Sequence, residues 1–161
     1  METDEQIINL EGAMYNKTVT VFNLYRSKQL GTATWYPHVI KNCYFNADKG
    51  ANIQKTGLEN ADTAKLHIKY RLKNGKRMIG DLEYLDPKEW EKQTNDTYLN
   101  AITFKSGDDF FIVGDYANGP IDGNSFPEGF FQYMNTRYDD VYRITTVGKY
   151  DIIPHFEIGG A

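Results

Sequence analysis

Short runs with a period of two residues dominate the pattern of apolar and polar positions. The clearest run is residues 66–72, in which Leu, Ile, Tyr and Leu alternate with His, Lys and Arg. Such alternation is typical of a strand with one buried face. Asn74-Gly75 follows, and this dipeptide strongly favours a two-residue hairpin turn because both central residues need positive φ. The pattern therefore predicts a hairpin whose return strand is residues 76–79.

Other strands are predicted from runs rich in β-branched and aromatic residues. Residues 18–25 are apolar on both faces, which predicts a central strand. Further extended segments are predicted at residues 32–35, 37–45, 80–85, 101–104 and 109–113, the last two around a turn at 106–108. Two polar stretches broken by glycine, residues 46–63 and 114–129, are predicted to be long exposed loops.

Two short helices are predicted among these strands. Asp86 is placed to cap a helix over residues 86–93, and Pro87 suits its first position. Trp90 is predicted to pack inward from this helix. In residues 128–138, Phe, Met and Tyr recur every four positions, which indicates a second short helix.

Residues 139–158 are predicted to form the hairpin that closes the sheet. Two strand-like runs flank Gly148-Lys149, which places the turn at that dipeptide. In the second run Phe156 and Ile158 share one face, and the polar residues beside them lie on the other. This alternation predicts that the hairpin is paired within a sheet that has an apolar inner face.

Composition agrees with a mainly β fold. Aromatic residues make up 14% of the chain, with 12 Tyr and 9 Phe, and these types favour half-buried strands. A chain of 161 residues has the length to bury one core. We therefore expect a small β-barrel or sandwich with one or two short helices and two long loops. Residues 15–161 are predicted to form this single domain, after a flexible N-terminal arm at residues 1–14.

Charge and cysteine content narrow the possible functions. The net charge of −4 argues against a general nucleic-acid binder, which needs a basic face, but leaves room for a local basic patch. The single cysteine, Cys43, excludes an intramolecular disulfide framework and favours a reducing compartment. No apolar run approaches 18 residues, and the acidic first residues are unlike a signal peptide. We expect a soluble protein that is made and folded in the cytoplasm.

No residue pattern predicts a catalytic, cofactor-binding or metal-binding site, so we expect a protein that is not an enzyme and needs no cofactor. The three histidines lack metal-ligand spacing and are interpreted as surface or boundary residues. They are His38, His67 and His155. Cys43 has apolar neighbours and is interpreted as a small core residue. The paired carboxylates Asp108-Asp109 and Asp139-Asp140 adjoin turns, and turn chemistry explains them best.

Six segments occur in an order that resembles a family of small proteins encoded by tailed phages and prophages of Gram-positive bacteria. They are residues 18–25, 34–42, 57–63, 84–90, 102–109 with 113–114, and 138–147 with 154–158. Their order and spacing carry the resemblance, which covers about residues 15–158. The family is that of phage neck or minor virion proteins, similar to head–tail connectors of the head-closure type. The acidic N-terminal extension and the loop at 114–129 depart from its pattern.

The resemblance implies a structural role in the virion. Head-closure proteins form a ring between the portal–adaptor complex and the tail and hold the packaged genome in. The implied partners are further copies of the chain in a homo-oligomeric ring, portal or adaptor proteins and tail proteins. Genome DNA would pass through the ring without specific binding, and no membrane is involved. The implied location is the virion, after assembly in the cytoplasm of the bacterial host.

The residues themselves leave another class of function open. A monomeric β domain of this size also suits a binding module, such as a phage inhibitor of a host defence enzyme or a carbohydrate-binding domain. Exposed aromatic side chains would provide a sugar-binding surface. The sequence does not separate surface aromatic residues from those of the core.

Overall fold

The computed structural model describes residues 14–48, 63–93, 97–116 and 118–161. The strands of these residues are β1 (Lys17–Arg26), β2 (Ala33–Ala47), β3 (Ala64–Lys69), β4 (Arg71–Lys73), β5 (Lys76–Ile79), β6 (Leu82–Tyr84), β7 (Ala101–Ile102), β8 (Phe110–Val113), β9 (Ile121–Asp122), β10 (Val141–Tyr150) and β11 (His155–Gly160). The helices are α1 (Pro87–Glu91) and α2 (Phe130–Arg137), with a 3-10 turn at Gly123–Ser125.

Six antiparallel strands close into a β-barrel. Their order is β1–β8–β10–β11–β3–β2, and β2 pairs back with β1. The long strand β2 makes this closure possible, because its first part pairs with β1 and its last four residues pair with β3. The short strand β9 adds to the beginning of β2. The predicted mainly β fold is confirmed, in its barrel form.

Strand β1 is apolar on both faces because each face is covered. Val19 and Val21 point into the barrel, within a cluster that also contains Phe111 and Phe156. On the alternate face, Phe22 and Leu24 pack outside the barrel in a cluster that includes residues of α2. Alternation along a half-buried strand thus supplies two cores. The prediction of a central strand at 18–25 is confirmed, since β1 pairs on both sides.

Strands β4–β7 form a second, smaller sheet beside the barrel. Three side chains of this region, Ile79, Tyr84 and Ile102, belong to the same buried cluster as the barrel interior. Helix α1 follows β6 and buries Trp90, whose Nε1 donates to the Ala101 carbonyl at 2.9 Å. The predicted short helix with an inward Trp90 is confirmed. Its proposed Asp86 cap makes no side-chain capping hydrogen bond.

The closing hairpin β10–β11 is confirmed as the last pair of the barrel, but the predicted turn at Gly148-Lys149 is wrong. Both residues lie within β10, and the turn is at residues 151–154. The extra length arises because β10 continues past the barrel core, with Tyr150 paired to His155. Phe156 is fully buried, as the alternation of the second run predicted.

Two other strand predictions differ from the structure. The run 66–72 is interrupted at Tyr70, and Leu72 lies in β4, where it is 54% exposed. The strands at 101–104 and 109–113 are present in shorter form but do not pair with each other. β7 pairs in parallel with β6, whereas β8 lies between β1 and β10.

The two predicted loops have different outcomes. Residues 114–129 contain β9 and the 3-10 turn, and the following helix α2 confirms the second predicted helix. Most of the predicted loop at 46–63 and of the predicted arm at 1–14 lies outside the described residues.

Candidate interaction surfaces

A buried polar centre lies between β1 and the turn before β8, and Asp109 is its focus. The two carboxylate oxygens of Asp109 accept hydrogen bonds from the backbone of Leu24 at 2.9 Å, the backbone of Lys105 at 2.8 Å and Asn23 Nδ2 at 2.9 Å. Burial raises the pKa of Asp109 to about 7, although these donors oppose the shift. Because every bond is internal and the group is buried, this centre fixes the fold and offers no surface to a ligand.

The remaining predicted turn carboxylates have ordinary structural roles. Asp108 Oδ2 lies 3.2 Å from Arg26 Nη1 and 3.1 Å from Lys105 Nζ. Asp140 Oδ1 accepts a hydrogen bond from the Tyr142 hydroxyl at 3.2 Å. The sequence interpretation as turn residues therefore fits Asp108 and Asp140 but misses Asp109, whose burial brings it under the β1 backbone.

His38 and Cys43 lie in the interior. The interpretation of His38 as a surface or boundary residue is wrong, because β2 buries it and its Nε2 lies 2.9 Å from the Tyr98 carbonyl. Burial lowers the pKa of His38 to about 4, so the ring is neutral at pH 7 and Nε2 donates to that carbonyl. The interpretation of Cys43 as a core residue is confirmed, and burial raises the pKa of its thiol to about 12.

The other two histidines lie on the outer wall of the barrel, in a row of rings. Ring centroids of Tyr44 and His67 are 5.1 Å apart, those of His67 and His155 are 5.8 Å apart, and Tyr150 stacks on His155 at 5.0 Å. Glu157 Oε1 lies 3.1 Å from His155 Nε2. Tyr44, His67, Tyr150 and Glu157 border a depression of about 600 Å³. The interpretation of His67 and His155 as boundary residues is confirmed.

The turn of the closing hairpin presents an apolar knob, defined here as Ile152 and Ile153. Their exposed fractions are 98% and 73%, the first being the largest among the exposed large apolar side chains of the described residues. Two adjacent exposed isoleucines are an unusual choice for a solvated turn, where polar residues and glycine dominate. The knob is thus a candidate contact surface.

A polar bracket holds the knob in place. The Arg77 guanidinium binds the Asp151 carboxylate through two contacts, Nε at 3.2 Å and Nη2 at 3.1 Å, and the Tyr70 hydroxyl also hydrogen-bonds with Asp151. These bonds lower the pKa of Asp151, the Arg77 bond being the larger cause. Bidentate pairs of this kind define orientation well. The bracket joins the β10–β11 turn to β5 and thereby orients the two isoleucines.

An apolar groove lies on a different part of the molecule, beside α2. Its volume is about 360 Å³. It is lined by Phe22, Tyr116, Asn118, Ile121, Phe126, Phe130, Tyr133, Met134 and Tyr138. Ring contacts such as Phe126–Tyr133 at 4.6 Å and Tyr116–Tyr138 at 5.0 Å stiffen its walls. The groove is a second candidate contact surface, and most of its lining is aromatic.

Sequence patterns gave partial signals for these surfaces. Ile152-Ile153 fit a strand pattern. Because the turn was predicted at Gly148-Lys149, the exposure of these two side chains was not predicted. The groove was hidden because its lining comes from β1, the 114–129 segment and α2, which are distant in sequence. The described residues contain no group of three or more His, Cys, Asp or Glu arranged to hold a metal ion. Within the same residues, no helix has the length and apolar character needed to cross a membrane.

Comparisons with known proteins give one match. A family model described as "Family of unknown function (DUF6751)" matches residues 14–161. No curated protein and no solved structure matches the chain.

Proposed function

The chain belongs to the DUF6751 family, whose function is unknown, and we propose that the protein is a structural subunit of a ring in the head–tail neck of a tailed phage. The observation that supports this most is the presence of an apolar knob and a separate apolar groove on one rigid barrel. The phage assignment comes from the sequence resemblance. In this proposal the subunit assembles in the bacterial host and resides in the virion, with portal, adaptor and tail proteins as its neighbours.

In this proposal, the positions of the knob and the groove favour one type of assembly. The knob is the β10–β11 turn, and the groove lies between α2 and the 114–126 segment, so they are different surfaces of one chain. If the knob of one copy occupies the groove of the next, the contact is heterologous. Heterologous contacts generate rings when the rotation closes and open filaments when it does not. A ring subunit needs this arrangement.

The size of the contact predicts assembly that depends on a template. Burying an isoleucine side chain contributes roughly 1.5–3 kcal/mol, so the knob supplies about 3–6 kcal/mol. Association costs about 4–15 kcal/mol in lost freedom and side-chain ordering. The knob alone therefore leaves isolated copies largely monomeric. A portal complex that collects several copies raises their effective concentration and closes the ring.

Light scattering and negative-stain images of the purified protein, alone and mixed with the portal complex of the same phage, test the proposal. We expect rings with portal and mostly monomers without it. Ile152→Ser/Ile153→Ser should remove ring formation. Leu30→Ser is the matched control, because Leu30 is 78% exposed on the β1–β2 turn and lies outside both surfaces. Absence of any association with neck components, or absence of the protein from purified virions, would refute the proposal.

A carbohydrate-binding module is the second candidate, and the row of rings on the barrel wall favours it. Tyr44 and Tyr150 border the depression together with polar groups of His67 and Glu157, and sugars are commonly bound by aromatic faces beside hydrogen-bonding side chains. A monomer whose melting temperature rises with added oligosaccharide would support this function. A Tyr150→Ala variant should then lose the shift, and a shift that survives in Tyr150→Ala would place sugar binding elsewhere.

A further inference from the structure

Positive charge is concentrated in one segment of this acidic chain. Six of the 18 Lys and Arg residues fall within residues 63–80, where there is no Asp or Glu. The rest of the chain carries 12 Lys and Arg against 22 Asp and Glu. The segment is therefore an isolated basic region, of the local kind that a net charge of −4 conceals.

The fold displays this charge on an exposed two-stranded ribbon, residues 71–77, made by β4, the Asn74-Gly75 turn and the start of β5. All three residues of β4 are exposed. Asn74 and Gly75 have φ of 54° and 78°, the left-handed conformation that this tight turn requires. The ribbon contributes no fully buried side chain before Ile79.

Three cations share one face of the ribbon. Arg71 is paired with Met78 and Lys73 with Lys76, and directly opposite residues of an antiparallel pair project to the same side. Two lysines placed opposite each other destabilise the pair. Lys76 has Glu83 at 3.6 Å, whereas no acidic side chain of the described residues lies within ion-pair distance of Arg71 or Lys73. The neighbouring positive charges on this face would attract an external polyanion.

We propose that the basic ribbon binds the phosphate backbone of duplex DNA. A two-stranded ribbon is narrow enough to enter the major groove of B-DNA, which is about 12 Å wide. Lys and Arg side chains bind phosphates without reading sequence, so the contact is non-specific. Arg71 and Lys73 are the principal contacts, and Lys76 adds to them. This inference rests on the charge and shape of the ribbon and holds whether or not the protein forms a neck ring.

The composition of the ribbon face favours DNA over an acidic protein. Protein interfaces are depleted in lysine and have an apolar centre. The cationic face has only Met78 as an apolar member, and the exposed Leu72 lies on the opposite face with Arg77. Glu83 is paired opposite Met78 and shares this face, which still carries three cations against one carboxylate. A net positive face around one partly buried methionine matches a backbone of phosphates better than the apolar centre of a protein interface.

Fluorescence anisotropy with a labelled duplex of 30 base pairs, titrated with salt, tests the inference. The logarithm of the affinity should fall with the logarithm of salt concentration with a slope of about −2.7, for three phosphate contacts. Arg71→Gln/Lys73→Gln should reduce the slope by about 2 and weaken binding at every salt concentration. Both residues are exposed, so a thermal melt should show that this variant stays folded.

Lys28→Gln/Lys88→Gln is the control, because it makes the same change in net charge at two exposed sites outside the ribbon. It should leave the slope and the affinity unchanged. Equal losses in the control and the ribbon variant would overturn the inference, as would the absence of DNA binding by the wild-type protein at low salt. Displacement of the duplex by poly-glutamate as readily as by unlabelled duplex at equal charge would also overturn it, in favour of an acidic protein partner.

Discussion

The closing hairpin β10–β11 and the basic ribbon β4–β5 are both antiparallel pairs, yet they use their side chains in opposite ways. The closing hairpin buries Ile144, Phe156 and Ile158 in the barrel. The first strand of the ribbon buries nothing, and the ribbon carries four Lys and Arg residues in seven positions. The two hairpins meet where Arg77 of the ribbon binds Asp151 of the other turn.

Because of this difference in burial, one hairpin should contribute mainly to stability and the other mainly to interactions. Buried apolar area supplies most of the free energy of folding, so the closing hairpin should dominate stability. Exposed polar positions away from such features change stability by about 0.5 kcal/mol or less. The ribbon and the exposed end of the closing hairpin should therefore tolerate substitution and reveal their roles only in binding assays.

The largest expected effect is that of Phe156→Asp. The substitution places an unpaired charge in the barrel core, at a cost of about 4 kcal/mol or more. Native domains have a stability of about 5–15 kcal/mol, so a loss of this size or larger takes the chain to the edge of unfolding, and circular dichroism should report a largely unfolded population. Val147→Asp, at a position of the same hairpin that is 36% exposed, should stay folded. A folded Phe156→Asp variant that only loses assembly would mean that the hairpin is an interface rather than a barrel wall.

Gly160→Ala should be the next most damaging change to the closing hairpin. A Cβ at this position would lie 2.9 Å from Tyr142 Cβ and 3.1 Å from Phe111 Cε1, inside the packed barrel. Overpacking of this kind costs about 1–3 kcal/mol. Urea unfolding should show that loss, whereas Gly119→Ala, where a Cβ meets nothing within 4 Å, should match the wild type.

Asp109→Asn tests the buried polar centre that supports β8 beside the closing hairpin. Loss of a well-placed acceptor for buried N–H groups should cost about 1–3 kcal/mol at pH 5. The raised pKa, about 7 against 3.8 for an exposed Asp, means that the folded chain holds a proton that the unfolded chain releases. The Asp109 contribution is thus complete below pH 3.8 and is lost as the pH rises through 7.

Urea unfolding of the wild type and Asp109→Asn between pH 4 and 8 measures this contribution. The difference between their free energies of unfolding should shrink as the pH rises. Comparing the two proteins cancels the opposite effect of His38, whose pKa of about 4 makes stability fall as the pH drops below 6.5. A difference that stays constant with pH would show that Asp109 is ionised throughout.

Ile152→Ser/Ile153→Ser should separate stability from assembly. The knob is almost fully exposed, so the free energy of unfolding should change by no more than about 0.5 kcal/mol. Assembly with the portal complex should nevertheless be lost, as light scattering would show. An equal loss of stability and assembly would mean that the turn is part of the folded core.

The smallest expected effect belongs to Arg71→Gln/Lys73→Gln. Removing Lys73 from its position opposite Lys76 relieves a like-charge pair, which should stabilise the fold by a few tenths of a kcal/mol, about 0.2–0.5. Thermal unfolding at low salt measures the gain, and added salt should reduce it by screening. A clear loss of stability would show that these cations support the fold.

The sequence predicted correctly the features that depend on a single strand or turn. Period-two alternation identified the inward residues Phe156 and Ile158, and the Asn-Gly dipeptide identified the turn at Asn74-Gly75. Both signals are local in sequence. The sequence did not predict the features that depend on pairing between distant segments. β7 and β8 are neighbours in sequence, but each pairs with another strand, and Asp109 is buried only because β1 passes over it.

The aromatic residues show the same limit. Phe110 and Phe111 are adjacent and both buried, one under α2 and the other in the barrel, because β8 has a core on each face. The sequence alone therefore does not sort the twenty-three aromatic residues into core and surface. The candidate surfaces were hidden for this reason, since each depends on which faces remain uncovered.

Cysteine cross-linking between two differently labelled copies tests the central claim most directly, namely that the knob of one copy occupies the groove of another. Ile153→Cys and Tyr138→Cys place one reactive thiol on each surface, while the native Cys43 is buried and has a pKa of about 12. In the presence of portal complex, a short bis-maleimide should link the two variants when they are mixed and should link neither variant to itself. Rings that form without this mixed cross-link, or Ile153→Cys copies that cross-link to each other, would contradict the account.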